Sequence, residues 1–405
     1  MTDRARFLLV SLCYQAFTLS DGALRMLVLL HLHAQGRSPV ELALLLLPYE
    51  ASGVFTNLLA GALGARHGQK PVLVTGLVLQ VVACALLCNE MVLASMPWVM
   101  ATQVLSGVAK DLVKTTAKSY ARTLAPTASD GALFSIVAAM TGSKNAMKGI
   151  GFFLGGALLS TVGFVGSNAL VASLLSVFAL LAWRALPGQQ QKPKKSLAAS
   201  LRHDASVNWL ALARLFLFGS RDAWFAVALP LFLAASLGWS GAATGAFLSA
   251  WVIGYGVVQA ATPRIVRLQS TRNGAFAVVV VTALLALPLL ASAAALDAGW
   301  PAAPVVIAGL CVYGILFAIC SSLHSWLVVA LASGDDVVER VGFYYAANSA
   351  GRLTGLLASG FVYAAFGQGT EGFVACLYAS TLAVACAAAA SVPMAARVAA
   401  SKLSP

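Results

Sequence analysis

The chain reads as an all-α membrane protein, with twelve transmembrane helices in two six-helix bundles. Three observations predict this. Of 405 residues, 60% are hydrophobic and 10% are charged, and the mean hydropathy is +0.85; a soluble globular chain carries about 25% charged residues. Stretches of about 20 mainly apolar residues, the length that crosses the hydrocarbon, recur along the whole chain. Lys and Arg outside these stretches fall almost entirely in alternate loops, the pattern that marks cytoplasmic segments.

The predicted spans are 6–33, 39–63, 71–89, 96–121, 131–159, 165–186, 207–235, 241–262, 274–296, 304–331, 341–366 and 372–396. The first follows Met1 to Arg6 directly, is too long for a signal-peptide core and lacks a small-residue cleavage site, so it is expected to stay as a helix. Short turns separate most of the others. The longest interruption, Leu186 to Ser206, contains Gln189 to Lys195, polar and basic with Pro193, and reads as a cytoplasmic linker. The expected division is therefore residues 1–186, a linker at 187–206, and residues 207–405. With the N-terminus inside, the cytoplasmic segments hold sixteen Lys and Arg and the opposite side only Arg37. Both termini are then cytoplasmic, in a multi-pass protein of the inner (plasma) membrane.

The formal net charge of +12 does not point to nucleic acid, because many of the charges lie inside apolar spans. Away from the span ends, nine bases do so: Arg25, Lys110, Lys114, Lys118, Lys144, Lys148, Arg214, Arg221 and Arg352. Four acids accompany them there: Asp21, Glu50, Asp111 and Asp222. A charge facing lipid at mid-bilayer costs ~3 kcal/mol on insertion scales. Thirteen would exceed the roughly 5–15 kcal/mol net stability of a fold, so they must pair or line an aqueous space. Lys110, Lys114 and Lys118 follow i, i+4, i+8 and share one helical face, as do Lys144 and Lys148. Asp21 and Arg25 are spaced to interact on one helix, and Asp111 can meet a lysine of the fourth or fifth span. Glu50, near mid-membrane with no base on its own helix, has the placing of a proton carrier. Lys118 has the placing of an interfacial, snorkelling residue, and Arg214 that of a structural charge.

Four acids cannot neutralise nine bases, so the residual charge predicts an anionic ligand, with Arg forks and Lys point charges suited to phosphate and carboxylate. The expected ligand-binding residues are Arg25, Lys110, Lys114, Lys144, Lys148, Arg221 and Arg352, with Asp21, Glu50, Asp111 and Asp222 as coupling or gating candidates. Lys110 to Lys118 spans ~12 Å along a helix, enough for a ligand with an oxyanion at each end. No metal or cofactor is expected. The seven cysteines form no CxxC, and Cys84 and Cys88, on one helix face, are expected to pack rather than to bind a metal. An enzyme is the contrasting reading. No His–Asp pair or metal-ligand cluster lies at a helix end, and His31 and His33 share no face.

The two halves resemble each other. Phe17-Thr-Leu-Ser-Asp21 parallels Phe218-Gly-Ser-Arg-Asp222, and Asn145, Lys148 and Gly156 parallel Asn348, Arg352 and Gly360 with one residue slipped. The loop Gly61-Ala-Leu-Gly-Ala-Arg66-His-Gly68-Gln-Lys70 resembles the cytoplasmic signature of the major facilitator superfamily, with Gly61, Arg66, Gly68 and Lys70 in gating-loop positions and Ala65 where the signature has aspartate. Parallel six-helix repeats are the arrangement of that superfamily. Gly151-Phe-Phe-Leu-Gly155-Gly156 resembles the helix 5 motif of its exporters, without the proline.

Over nearly the whole chain the sequence is similar to the organoarsenical efflux transporters of arsenic-resistance operons. The segments that carry this are Ala16 to Leu27, Leu105 to Leu112, Thr141 to Gly156, Ala213 to Asp222, Trp251 to Gly256 and Asn348 to Leu353. The resemblance implies export by alternating access of 1-arseno-3-phosphoglycerate, which forms when a glyceraldehyde-3-phosphate dehydrogenase uses arsenate in place of phosphate. That dehydrogenase is then the functional partner, and the transporter is expected as a monomer in lipid. A sugar-phosphate or other organic-anion carrier of the same superfamily is the alternative.

Overall fold

The computed structural model describes residues 3–35, 45, 47–57, 63, 67–124, 129–188, 204–239, 241–268, 270–332 and 337–400. Gly61 and Arg66 of the predicted gating loop, and most of the predicted linker, lie outside these residues. The described elements are helical throughout, and among the described residues there is no strand. In order they are α1 (Asp3–Ala34), α2 (47–57), α3 (Gln69–Leu86), α4 (Met96–Leu124), α5 (Asp130–Ala185), α6 (Ala205–Phe225), α7 (Gly241–Ile265), α8 (Thr271–Leu284), α9 (Ala286–Asp297), α10 (Ala302–Leu331), α11 (Val337–Ala365) and α12 (Thr370–Ala400). Among the described residues, seven helical stretches are long and apolar enough to cross a membrane. Helix α4, with Lys110, Asp111, Lys114 and Lys118 along it, is not one of them. Large apolar side chains such as Leu170, Leu174, Val177, Leu181, Leu287 and Leu290 stand exposed on these helices, as lipid-facing surfaces require.

Helix α5 has 56 residues, a length of about 84 Å at 1.5 Å per residue. That is far more than the ~30 Å of hydrocarbon, so it supplies two crossings. The predicted spans 131–159 and 165–186 are therefore joined by one residue rather than a loop. Gly163, at φ 71° and ψ −179°, makes the reversal, in a region of conformational space that side chains disfavour. The seventh crossing departs from a plain helix as well. Pro230 lacks an amide donor, and beyond α6 the chain continues through a helical turn at Ala228–Leu231 into a wider turn at Phe232–Ser236. The amides of Val227 and Ala228 donate to Ser359 Oγ at 3.3 and 3.1 Å, which satisfies groups that lipid could not. A similar interruption at Leu285 separates α8 from α9, three residues before Pro288.

The chain divides into two compact units. The first comprises Met1–Ser129, Met140–Arg202 and Ala332–Ala346; the second comprises Asp130–Ala139, His203–Leu331 and Ala347–Pro405. Within the first, α3 packs along α4, and α1 lies against α4. Within the second, α6 packs most extensively on α12, and α10 contacts α7, α8 and α9. The second unit's core is aromatic, built from Trp224, Phe232, Tyr313, Phe317 and Phe373.

In each unit, glycines bring the backbones of two helices together. In the first, a methyl on Gly22 would sit 2.6 Å from the Lys148 carbonyl, one on Gly155 2.6 Å from the Ala23 carbonyl, and one on Gly151 would run into the Leu19 carbonyl. In the second, a methyl on Gly355 would sit 2.5 Å from the Gly219 carbonyl, and one on Gly351 would run into that of Leu215. Close approach through glycine is a common way for membrane helices to associate. Here it sets α1 against α5 and α6 against α11, where the ion pairs form. Gly151→Val should lower the melting temperature of the purified protein, at a cost of about 1–3 kcal/mol from overpacking. Gly156→Ala, whose methyl would meet nothing nearer than Leu30 Cδ1 at 3.8 Å, should leave it unchanged. Equal melting of the two variants would show that the α1–α5 crossing is not tight.

Candidate functional site

The first unit gathers charged side chains from α1, α2, α4 and α5 around the ring of Tyr49. Arg25 Nη2 lies 3.1 Å from Glu50 Oε1, and Lys110 Nζ lies 3.5 Å from Glu50 Oε2. Lys110 is also 3.7 Å from Asp111 Oδ2, and Lys114 bonds Asp111 Oδ1. Lys148 Nζ reaches Asp21 Oδ2 at 3.2 Å, while the Tyr49 hydroxyl donates to Asp21 Oδ1. Asp21 and Glu50 thus spend their two oxygens on two different donors, while Asp111 is hydrogen-bonded through Oδ1 and meets Lys110 through Oδ2 only as an ion pair. The guanidinium of Arg25 and the ammonium of Lys110 both lie over the Tyr49 ring, 4.3 and 4.0 Å from its centroid, a contact that stabilises desolvated cations. Lys114 lies 4.8 Å from the Tyr345 centroid. These four bases and three acids carry a formal charge of +1. The four bases are only 12–17% exposed.

Local sequence explains the convergence. Asp21 and Arg25 are one turn apart on α1, so the same face presents an acid and a base. Gly107 lets α4 close on α2, since a methyl there would sit 2.5 Å from both the Tyr49 carbonyl and Ser52 Oγ. That approach brings Lys110 and Lys114 to Tyr49 and Glu50. Gln15 Nε2 donates to Ser143 Oγ at 2.7 Å, a further tie between α1 and α5. Lys144 is half-buried one turn before Lys148.

The second unit repeats the device. Asp222 accepts from Arg221 Nε at 2.6 Å through Oδ1 and from Arg352 Nε at 3.2 Å through Oδ2. The Phe218 ring carries two guanidinium groups, Arg214 at 4.0 Å and Arg221 at 4.8 Å. Arg214 is tied to Asn348 Oδ1 at 2.9 Å and to the Ser321 carbonyl and hydroxyl at 3.3 and 3.2 Å. Asp222 to Arg352 corresponds to Asp21 to Lys148: an acid on the first helix of each half paired with a base on the fifth, beside the glycine crossing.

The ligand candidates Arg25, Lys110, Lys114 and Lys148 come together, as do Arg221 and Arg352. Other expectations change. Glu50 has no base on its own helix but two from α1 and α4, so it is a bridging carboxylate and not an isolated acid. Lys118 does not snorkel: it is 1% exposed and donates to the Thr141 hydroxyl. The ~12 Å spread of lysines expected along that face therefore shortens by one turn, to Lys114. Of the gating-loop residues, Gly68 and Lys70 are described, and Lys70 Nζ lies 5.2 Å from the Trp183 ring. Tyr49 and Phe218 were missed. Their signal in the sequence is an aromatic next to Glu50 and one a single turn from Arg214 and Arg221. The seven cysteines are free, Cys88 Sγ reaches only carbonyl oxygens, and no cluster among the described residues suits a metal.

Residues 8–328 match the model of the Major Facilitator Superfamily. No curated protein matches the chain by sequence. Among solved structures, the human organic anion transporter MFSD10 (TETRAN) superposes with a TM-score of 0.76 at 18% identity, covering 96% of this chain and 100% of that one. A bacterial homologue of the iron transporter ferroportin in an outward-facing state gives 0.75 at 15%, covering 96% and 99%. The E. coli fucose:proton symporter FucP gives 0.72 at 15%, covering 97% and 99%. Identities this low establish the shared fold alone, but the family match extends over most of the sequence: the chain belongs to the Major Facilitator Superfamily, a multi-pass membrane protein of secondary-transporter and not enzyme type.

Proposed function

We propose that the chain exports an organic oxyanion by alternating access, most specifically 1-arseno-3-phosphoglycerate, and so gives resistance to arsenate. The observation that carries the reading is the first-unit cluster: four bases against three acids, partly buried on helices of a membrane protein. An anion entering there gains the donors of Arg25, Lys110, Lys114 and Lys148, with Lys144 a turn away. Arg221 and Arg352, sharing Asp222, serve as the second unit's anion-binding bases, and the four acids act in coupling or gating. Resemblance to the organoarsenical exporters in the segments that hold these residues supports the specific cargo. The same reading has halves at 1–186 and 207–405 joined by 187–206, a monomer in the inner membrane, and cytoplasmic termini. The arsenate-using glyceraldehyde-3-phosphate dehydrogenase supplies the cargo.

The test is growth on arsenate of a sensitive bacterium carrying this chain, the dehydrogenase, or both. Resistance is expected only with both. Arsenite resistance is expected to be unchanged, because trivalent arsenic is neutral near pH 7 and gains nothing from the lysines. Strong resistance from the transporter alone, in a host shown to make no arseno-phosphoglycerate, would point to arsenate itself. Export of 3-phosphoglycerate or a sugar phosphate from loaded vesicles, with no arsenate phenotype, would favour the wider organic-anion carrier.

Lys148→Ala should reduce export on the order of tenfold or more, the worth of one charge-assisted hydrogen bond. Because it also strips Asp21 of its base, the double variant Lys148→Ala with Asp21→Asn is the control. It should regain the wild-type melting temperature without regaining transport. Lys144→Ala should lower export with no change in melting. Normal export by both lysine variants, at normal expression, would place the anion elsewhere.

A further inference from the structure

We propose that a groove between α9 and α10, on the lipid-facing side of the second unit, binds one acyl chain of a phospholipid and recognises the chain rather than the head group. The groove has a volume of about 530 Å³, within the range of ligand pockets. Small residues line it: Ala291 and Ala295 from α9, Ala308 and Gly309 from α10. Longer side chains border them, among them Leu287, Val312 and Trp300. These three are 61%, 51% and 65% exposed, so the groove opens outward from the helix pair. Ser292 supplies its one hydroxyl, and no charged side chain lines it. Short side chains on two neighbouring helices, flanked by long ones, leave a channel where two apolar helices otherwise present ridges.

Depth selects the occupant. The lining runs from Leu284, at the break before α9, to Ala295, and from Val305 to Leu316 on α10. Each run rises about 16 Å, close to half of the ~30 Å of hydrocarbon, so the groove is one leaflet deep. Trp300 marks its head-group end. Gly299, at φ 76°, turns the chain after α9, and the Trp300 amide donates to the Ala295 carbonyl at 3.0 Å. The indole is thereby held at the mouth, and indoles favour the membrane–water boundary. The opposite end, beside Leu284 and Leu316, then lies at mid-membrane, where a chain ends. A phosphate finds no cation on these helices: from Asn273 to Glu339 the sequence has no Lys or Arg. Asp297, between Ala295 and Trp300, accepts from the Tyr378 hydroxyl at 2.9 Å. Recognition therefore falls to contact. Lipid tails are as apolar as the groove, so there is no hydrophobic gain. Retention comes from dispersion contacts that an unfilled channel forfeits, and these grow with the length of chain laid in it. The site is independent of the anion reading above.

The experiment uses the purified full chain in detergent, with native mass spectrometry counting the lipids held as collision energy is raised. Dioleoyl phosphatidylcholine, phosphatidylethanolamine and phosphatidylglycerol are added in turn, then dihexanoyl phosphatidylcholine. The wild type should hold one molecule of each dioleoyl lipid, equally well, at energies that strip all others, and should not hold the dihexanoyl lipid. Ala291→Phe combined with Ala308→Phe fills the groove and should lose the retained lipid. Leu174→Phe, on an exposed face of α5, should keep it. Retention of no lipid beyond the rest, equal retention of the short-chain lipid, or a marked preference among the three head groups overturns the proposal on the wild type alone, whether or not the variants fold. Undiminished retention by the folded double variant also overturns it. A dimer of the wild type that the double variant abolishes would assign the groove to a second copy of the chain and overturn it too.

Discussion

A charge within an apolar helix bundle needs a counter-charge within reach, and this chain has more bases than acids to supply it. The solution is sharing. Glu50 bridges Arg25 and Lys110, Asp111 bridges Lys110 and Lys114, and Asp222 bridges Arg221 and Arg352. A carboxylate has two oxygens, so one acid can hold two bases without forcing them together. The aromatic rings do the rest. Tyr49 and Phe218 each lie under two cations, and a ring face offers negative potential without adding a charge that would repel an anion. The bases are therefore held in place and remain collectively positive.

Packing is subordinate to that constraint. The glycines at the α1–α5 and α6–α11 crossings remove the side chains that would hold the backbones apart. At that separation Asp21 meets Lys148 and Asp222 meets Arg352 directly. A wider crossing would leave each pair bridged by water or unmade, at the cost of burying a lone charge. The recurrence of acid, base and glycine on corresponding helices of the two halves is the structural form of the weak internal repeat in the sequence. The aromatic core of the second unit and the proline breaks near Leu285 and Pro230 shape the helices on which these groups stand, and Ser359 restores the hydrogen bonds lost at the second break.

The proposed function needs these ion pairs to be exchangeable. A pair between carboxylate and ammonium in a partly buried site is close to balance, because desolvation offsets much of the attraction. On that proposal, an incoming oxyanion replaces a carboxylate at small net cost, which a fully neutralised or fully apolar interior would not permit. Arg214 and Lys118 are the contrast: both are buried and bonded to neutral oxygens, and they serve the fold.

Composition and the spacing of apolar stretches alone determined the membrane class and the helical fold, because the length of a crossing and the cost of an uncovered backbone leave few alternatives. Counting bases against acids inside the spans also determined that positive charge is in excess, since net charge does not depend on conformation. Partner choice was not legible. Asp21 and Arg25 share a helix face and interact electrostatically, but Asp21 also meets Lys148 and Tyr49 and Arg25 also reaches Glu50, because those groups arrive at distances that only packing sets. Lys118 looked interfacial by depth, and its burial against Thr141 is decided by the rotation of α4 against α5. Tyr49 is an ordinary apolar residue in sequence, and it becomes the centre of the cluster only when α1, α2 and α4 close around it.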